Sequence, residues 1–241
     1  MKTIGLLGGM SWESTALYYR AINEGIKERL GGLHSAQIAL VSVDFQEIET
    51  LQMSGDWHAA GQRLAAAARQ AEAAGAGFLL ICTNTMHKVA PQIEDAISIP
   101  LLHIADATAG RIKAQGLQTI GLLGTRFTME QDFYAGRLQE KHGLNVLIPP
   151  PEEREIVHRV IYDELVLGLV REESRRQFLQ IMADLQARGA GGIIEGCTEI
   201  VMLVQQQHTP IPLFDTTAIH AQSAVDHALE NHTGLTLTAD G

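Results

Sequence analysis

The chain has 241 residues, of which 46% are hydrophobic and 19% charged, enough apolar material for a sizeable interior and too apolar a balance for a disordered chain. Eighteen basic residues against twenty-eight acidic ones leave a formal net charge of −10, which argues against a nucleic-acid partner and against an anionic membrane surface. Two cysteines, Cys82 and Cys197, are too few for a disulfide framework and fit a reducing compartment.

In chain order, Met1 and Lys2 run straight into an apolar strand at 4–7, without the basic-then-hydrophobic layout of a secretion signal. No apolar run reaches the roughly 18 residues that a bilayer needs, so a cytoplasmic location is expected. The first strand ends in Gly8-Gly9-Met10-Ser11. Further Ile/Leu/Val-rich strands are predicted at 39–43, 78–82, 120–123 and 193–194. Amphipathic stretches at 59–73 and 176–188 lie between them, with Gly75 and Gly189 as helix stops. Strands alternating with helices of this length imply right-handed βαβ units and parallel sheets. A last helix is expected at about 217–230, packed on the first lobe, and 231–241 lack apolar periodicity and are expected to fray.

The chain repeats itself. TIGLLG stands at 3–8 and again at 119–124, GAGFLLICT at 75–83 pairs with GAGGIIEGC at 189–197, and IPLLHI at 99–104 pairs with IPLFDT at 211–216. Three pairs in one order at similar separations describe two homologous halves. The fold class is therefore α/β: two pseudo-symmetric lobes with parallel sheets and a cleft between them. Residues 1–104 plus 212–241 form the first lobe and 105–211 the second, the two IPL segments crossing between them.

In open α/β sheets ligands bind beyond the carboxyl ends of the strands. The residues there are Gly8 to Ser11, Thr83-Asn84-Thr85, Thr125 to Thr128 and Cys197-Thr198-Glu199, and all four sets are expected to face one cleft. The Gly-Gly turn lacks both the G-x-G-x-x-G and the G-x-x-x-x-G-K-[ST] patterns, so a nucleotide site is poorly supported, and it reads either as a cradle for a small carboxylate or as a bare tight turn. The ungapped repeat sets Thr83 opposite Cys197 and Cys82 opposite Gly196, so the two cysteines are not equivalent. Cys82 reads as a buried structural thiol. Cys197, just past its strand and near helix N–H groups, reads as a thiol of lowered pKa that acts as base or nucleophile.

GLLGGMSWEST, CTNTMH, LLGTRFTMEQDFY and GCTEI, in this order, resemble the aspartate/glutamate racemase family of pyridoxal-phosphate-independent amino-acid racemases, most closely its L-aspartate/glutamate-specific branch. The resemblance covers all but the tail. It implies a substrate held between two lobes, no cofactor, and two acid/base groups on opposite faces of the substrate Cα. The second-lobe cysteine of that pattern falls on Cys197 and the first-lobe cysteine on Thr83, a departure that the internal repeat places in the same register. Asn84, Thr85, Thr198 and Glu199 are implied to line the site, with Met10, Gln52, Thr125 and Thr128 as further contacts. The resemblance also implies L-glutamate and L-aspartate as substrates and a homodimer.

A hydroxyl is a far weaker acid than a thiol, so the pair is asymmetric. The resemblance implies that Cys197 faces the L-isomer and abstracts its α-proton, while Thr83 or a water it holds delivers one to the other face. A pyridoxal-phosphate mechanism needs a Schiff-base lysine and a phosphate cup, and Lys88, beside the CTNTMH motif, reads as a surface lysine. The ten histidines show no metal-ligand spacing. His87, His103 and His220 read as hydrogen-bonding core groups. Two readings stand beside the racemase: a single-cysteine decarboxylase or isomerase of the same fold, and a non-catalytic sensor of acidic amino acids.

Overall fold

The structure is a computed structural model that describes residues 1–230; the tail expected to fray at 231–241 lies outside the described residues. The first lobe carries β1 (Ile4–Gly8), α1 (Trp12–Leu30), β2 (Ile38–Ser42), α2 (Phe45–Ser54), α3 (Trp57–Ala73), β3 (Phe78–Ile81) and α4 (Ala90–Glu94). After α5 (Ile104–Ala114) the second lobe repeats the plan with β4 (Thr119–Gly124), α6 (Arg126–Glu130), α7 (Asp132–His142), β5 (Asn145–Leu147), α8 (Pro151–Asp163), α9 (Glu172–Ala187), β6 (Ile193–Gly196), α10 (Ile200–Leu203) and β7 (Leu213–Asp215). The chain then closes with α11 (Thr216–Leu229).

Both sheets are parallel, with orders β2-β1-β3 and β5-β4-β6-β7. The two TIGLLG copies lie inside their sheets as β1 and β4, each flanked by a strand on both sides. A continuous apolar run suits that position, because helices cover both faces of the strand. A single parallel bridge, Leu79 to Leu101, gives the first sheet the counterpart of β7. The sequence returns the chain to the first lobe at 212, whereas β7 pairs with β6 in register Glu195 to Asp215, so the chain leaves the second sheet only at Thr216. Three-residue strands such as β5 and β7 are too short to show a periodicity, which is why neither is visible in the sequence pattern.

The two crossing helices tie the lobes together. Helix α5 leaves the first sheet and buries Ile104, Ala105, Ala109 and Ile112 among Ile120, Leu122, Tyr134 and Phe214 of the second lobe. Its Asp106 accepts hydrogen bonds from Arg137, Lys141 and His142 at 2.7 to 2.8 Å. Helix α11 makes the reverse crossing, burying Ala221, Ala224 and Val225 against Tyr18, Ile22 and Ile26 of α1. Gly25 permits that approach: a Cβ there would lie 2.9 Å from Val225 Cγ2.

Strand β1 is turned into α1 by Gly9, whose φ is +91° and where a Cβ would sit 2.2 Å from the Val43 carbonyl oxygen. Only glycine fits both demands. The Gly9 N–H donates to Thr15 Oγ1 at 2.8 Å, and Ser11 caps α1 by accepting from the Ser14 N–H at 3.3 Å, an arrangement worth about 1 kcal/mol. These bonds present Met10, Ser11 and Ser14 to the cleft. No helix among the described residues is long and apolar enough to cross a membrane.

Candidate active site

The carboxyl ends of β1, β3, β4 and β6 open on one cavity of about 90 Å³ between the lobes. Met10, Thr83, Asn84, Thr85, Thr125, Cys197, Thr198 and Glu199 line it from the four strand ends, and Gln52 joins them from α2. Thr128 does not. It is fully buried behind Thr125, the two hydroxyls 3.2 Å apart, and its N–H donates to Thr125 Oγ1 at 3.4 Å, so it braces the wall without forming it.

Ser14, Phe45, Ile161, Tyr162 and Val166 also line the cavity; Ser14 lies within the first motif and the other four lie outside every motif. Phe45 and Gln52 come from α2, and Ile161 and Tyr162 from α8, the helix that follows the second strand in the other lobe. The two helices share no sequence identity that the repeat could reveal.

The lobes are joined across the cavity. Gln52 Nε2 donates to Tyr162 Oη at 3.5 Å, and the Thr85 and Thr125 hydroxyls are 3.4 Å apart. Cys197 Sγ and Thr198 Oγ1 each donate to Glu199 Oε2 at 2.9 Å. With the Thr198 proton committed to the carboxylate, the 2.7 Å contact between Ser14 and Thr198 has the serine as donor. A chain of hydroxyls thus runs from the N-terminus of α1 to the carboxylate beside the thiol.

That carboxylate reverses the expected state of Cys197. Burial and the neighbouring Glu199 charge push its thiol well above the ordinary cysteine range, so the resting group is a thiol hydrogen-bonded to Glu199 and not a thiolate. The sequence places Cys197 near helix N–H groups but does not show that Glu199 folds back onto it. Cys82 is wholly buried in the first-lobe core, its N–H donating to Leu7 O at 2.9 Å, and burial raises its thiol too.

Beneath Thr83 lies a group of neutral histidines. His87 Nδ1 is 2.8 Å from Thr83 O and its Nε2 accepts from the Ile104 N–H at 3.3 Å, which assigns the proton to Nδ1. His103 accepts from the Ala105 N–H through Nδ1, and His220 lies between Tyr18 Oη and Leu102 O at 2.8 and 2.7 Å. Burial, with mutual repulsion, holds His87 well below its ordinary value; burial chiefly takes His103 to about 3 and His220 to about 4. They carry no charge at neutral pH and act as a rigid support for the Thr83 loop.

Asn84, also on that loop, donates through Nδ2 to Thr216 Oγ1 at 3.0 Å, and Thr216 donates to the Glu195 carbonyl on β6 at 3.0 Å. Asn84 Oδ1 is buried without a hydrogen-bond partner. Lys88 is not a plain surface lysine. Its Nζ donates to Gln131 Oε1 at 2.7 Å and sits 4.0 Å from the centroid of the Trp57 ring, bridging first and second lobes. Among the described residues no group of three His, Cys, Asp or Glu side chains is arranged to hold a metal ion.

The model of the family described as Asp/Glu/Hydantoin racemase matches residues 7–224, which takes in every strand end around the cavity. The chain belongs to the Asp/Glu/hydantoin racemase family. A solved structure of a candidate Asp/Glu racemase from Yersinia pestis is 59% identical, covering 95% of this chain and 100% of its own, with a TM-score of 0.92. A second, an aspartate racemase homologue from Pyrococcus horikoshii OT3, is 32% identical over 95% and 99% of the two chains, with a TM-score of 0.84. The broad specificity amino-acid racemase RacX of Bacillus subtilis (strain 168) is 24% identical over 161 residues, 64% of this chain and 66% of its own length. Racemase-family membership supports amino-acid racemisation, an isomerase activity, at the cavity between the lobes.

Proposed function

We propose that the protein racemises acidic amino acids without a cofactor, by removing the α-proton on one face of the substrate and returning one on the other. The observation that carries this reading is that Thr83 and Cys197, equivalent in the repeat, line the same cavity from opposite lobes. A planar carbanionic intermediate between two such groups can be reprotonated from either side.

In this reading Cys197 is the base toward the L-isomer. Its proton already points at Glu199, so the carboxylate is the acceptor when the thiol ionises. The positive α-ammonium of an entering amino acid favours that ionisation, because an opposite charge within a few Å stabilises the thiolate. Thr83, or a water on its hydroxyl, delivers the proton to the opposite face. Since enantiomers have equal free energy in water, the weaker threonine side alters the rates and leaves the equilibrium at a racemate.

Chiral chromatography of L-glutamate and L-aspartate incubated with purified protein, no cofactor added, tests the proposal. Appearance of the D-isomers is expected, and their absence with both substrates overturns it. One thiol lines the cavity, which is the observation that favours a single-cysteine decarboxylase. Release of CO₂ from a malonate-type acid, with no D-amino acid formed, is the outcome that selects that reading.

A further inference from the structure

The cavity presents a problem for an acidic substrate. Among the described residues no lysine or arginine lines it, and the acidic residue there is Glu199, held by Cys197 and Thr198. A side-chain carboxylate entering here must therefore be met by neutral hydrogen-bond donors. Most hydroxyls on the wall are already engaged: Ser14 and Thr198 in the chain to Glu199, Thr85 and Thr125 with each other.

Tyr162 is different. Its oxygen accepts from Gln52 Nε2, and among the described residues its own O–H has no acceptor. It stands on α8 as Gln52 stands on α2, so the pair faces across the cavity from equivalent helices of the two lobes. Burial raises the phenol pKa above its ordinary value, so the group is a donor at neutral pH. The ring is fixed by His158, 4.7 Å away between centroids.

We propose that Tyr162, backed by Gln52, is a specificity-determining residue that selects the substrate by donating its phenolic proton to an acceptor at the end of the substrate side chain, the carboxylate of an acidic amino acid. The inference rests on the racemase reading. Recognition by a neutral donor has a distinct signature. A site built to hydrogen-bond a substrate group strongly rejects an analogue that lacks it, but a phenol, unlike a guanidinium, also accepts an uncharged amide oxygen. L-Glutamine is therefore discriminated from L-glutamate less than the apolar analogue L-norvaline is.

The test is α-proton exchange in D₂O followed by NMR, which reads slow turnover over hours, with L-glutamate, L-glutamine and L-norvaline on the full chain. Tyr162→Phe keeps the ring and removes the donor. The expected result is a KM raised about 10- to 100-fold for L-glutamate and about 2- to 10-fold for L-glutamine, the ranges for a hydrogen bond to a charged and to a neutral acceptor. The kcat stays within about twofold, and kcat/KM for L-norvaline is unchanged. Equal losses on all three substrates mean that Tyr162 only packs the wall and overturn the proposal, as does an unchanged KM for L-glutamate. Failure of the racemase reading looks different: the unaltered protein then exchanges the α-proton of no amino acid, and this inference falls with it.

Discussion

Replacing Glu195 by glutamine makes the protein more stable, and the gain grows with pH. Glu195 lies on β6 two residues before Cys197, at the position that Ile81 occupies in the first half of the repeat. It is 3% exposed, its Oε1 has no partner, and it sits opposite Asp215 in the sheet register. Burial, with the Asp215 charge adding to it, raises its carboxyl to about 8 from the ordinary 4.5. A carboxyl whose pKa is higher in the folded than in the unfolded state contributes its full stability below pH 4.5 and loses it as pH rises toward 8. Each pH unit inside that window is worth about 1.4 kcal/mol, so between pH 5.5 and 7.5 the loss is about 2.5 kcal/mol after rounding at the ends. Glutamine has no proton to lose. Urea unfolding of both proteins at pH 5.5 and 7.5 reads the difference directly, with the advantage of Glu195→Gln larger at the higher pH by about 2.5 kcal/mol. An advantage that is the same at both pH values refutes the assignment of a protonated Glu195 in the folded chain.

Two further outcomes follow from the cavity. Alkylation of Cys197 by iodoacetamide at pH 7.5 is slow, because the reactive thiolate is scarce, and Glu199→Gln speeds it several-fold by removing the charge that opposes ionisation; mass spectrometry separates it from the buried Cys82, which stays unmodified in the folded protein. Thr83→Cys supplies a second thiol, a stronger acid than the hydroxyl it replaces, and raises turnover of D-glutamate relative to L-glutamate by at least about 10-fold, below the full effect of a positioned acid/base group. Initial rates from each pure enantiomer check it, and an unchanged ratio removes Thr83 from the proton path.

What could be read from the sequence follows from where identity between the halves survives. The repeated strands end in the loops that line the cavity, so Thr83, Asn84, Cys197 and Thr198 are legible from register and turn position. The glycine at 9 is legible for the same reason, since no other residue tolerates that turn. Tyr162, Ile161 and Phe45 are not, because they sit within helices whose inward face differs between the lobes and carries no glycine or motif. Thr128 falls in a motif yet lies behind the wall, since a residue three positions into a helix turns away from the strand end. The ionisation of Cys197 depends on how the Glu199 side chain folds back, and the place of Lys88 is set by Trp57 of its own lobe and Gln131 of the other. Both are tertiary facts without a local pattern.

The central claim is two-sided proton transfer at Cα with Cys197 as the base toward the L-isomer. Its most direct measurement is the initial rate of deuterium incorporation at Cα from L-glutamate and from D-glutamate in D₂O, for the unaltered protein and for Cys197→Ala. The account predicts faster exchange from the L-isomer in the unaltered protein, and a loss of more than about 10²-fold from that isomer on removing the thiol. Equal exchange from both isomers, or exchange from L-glutamate that survives Cys197→Ala, contradicts it.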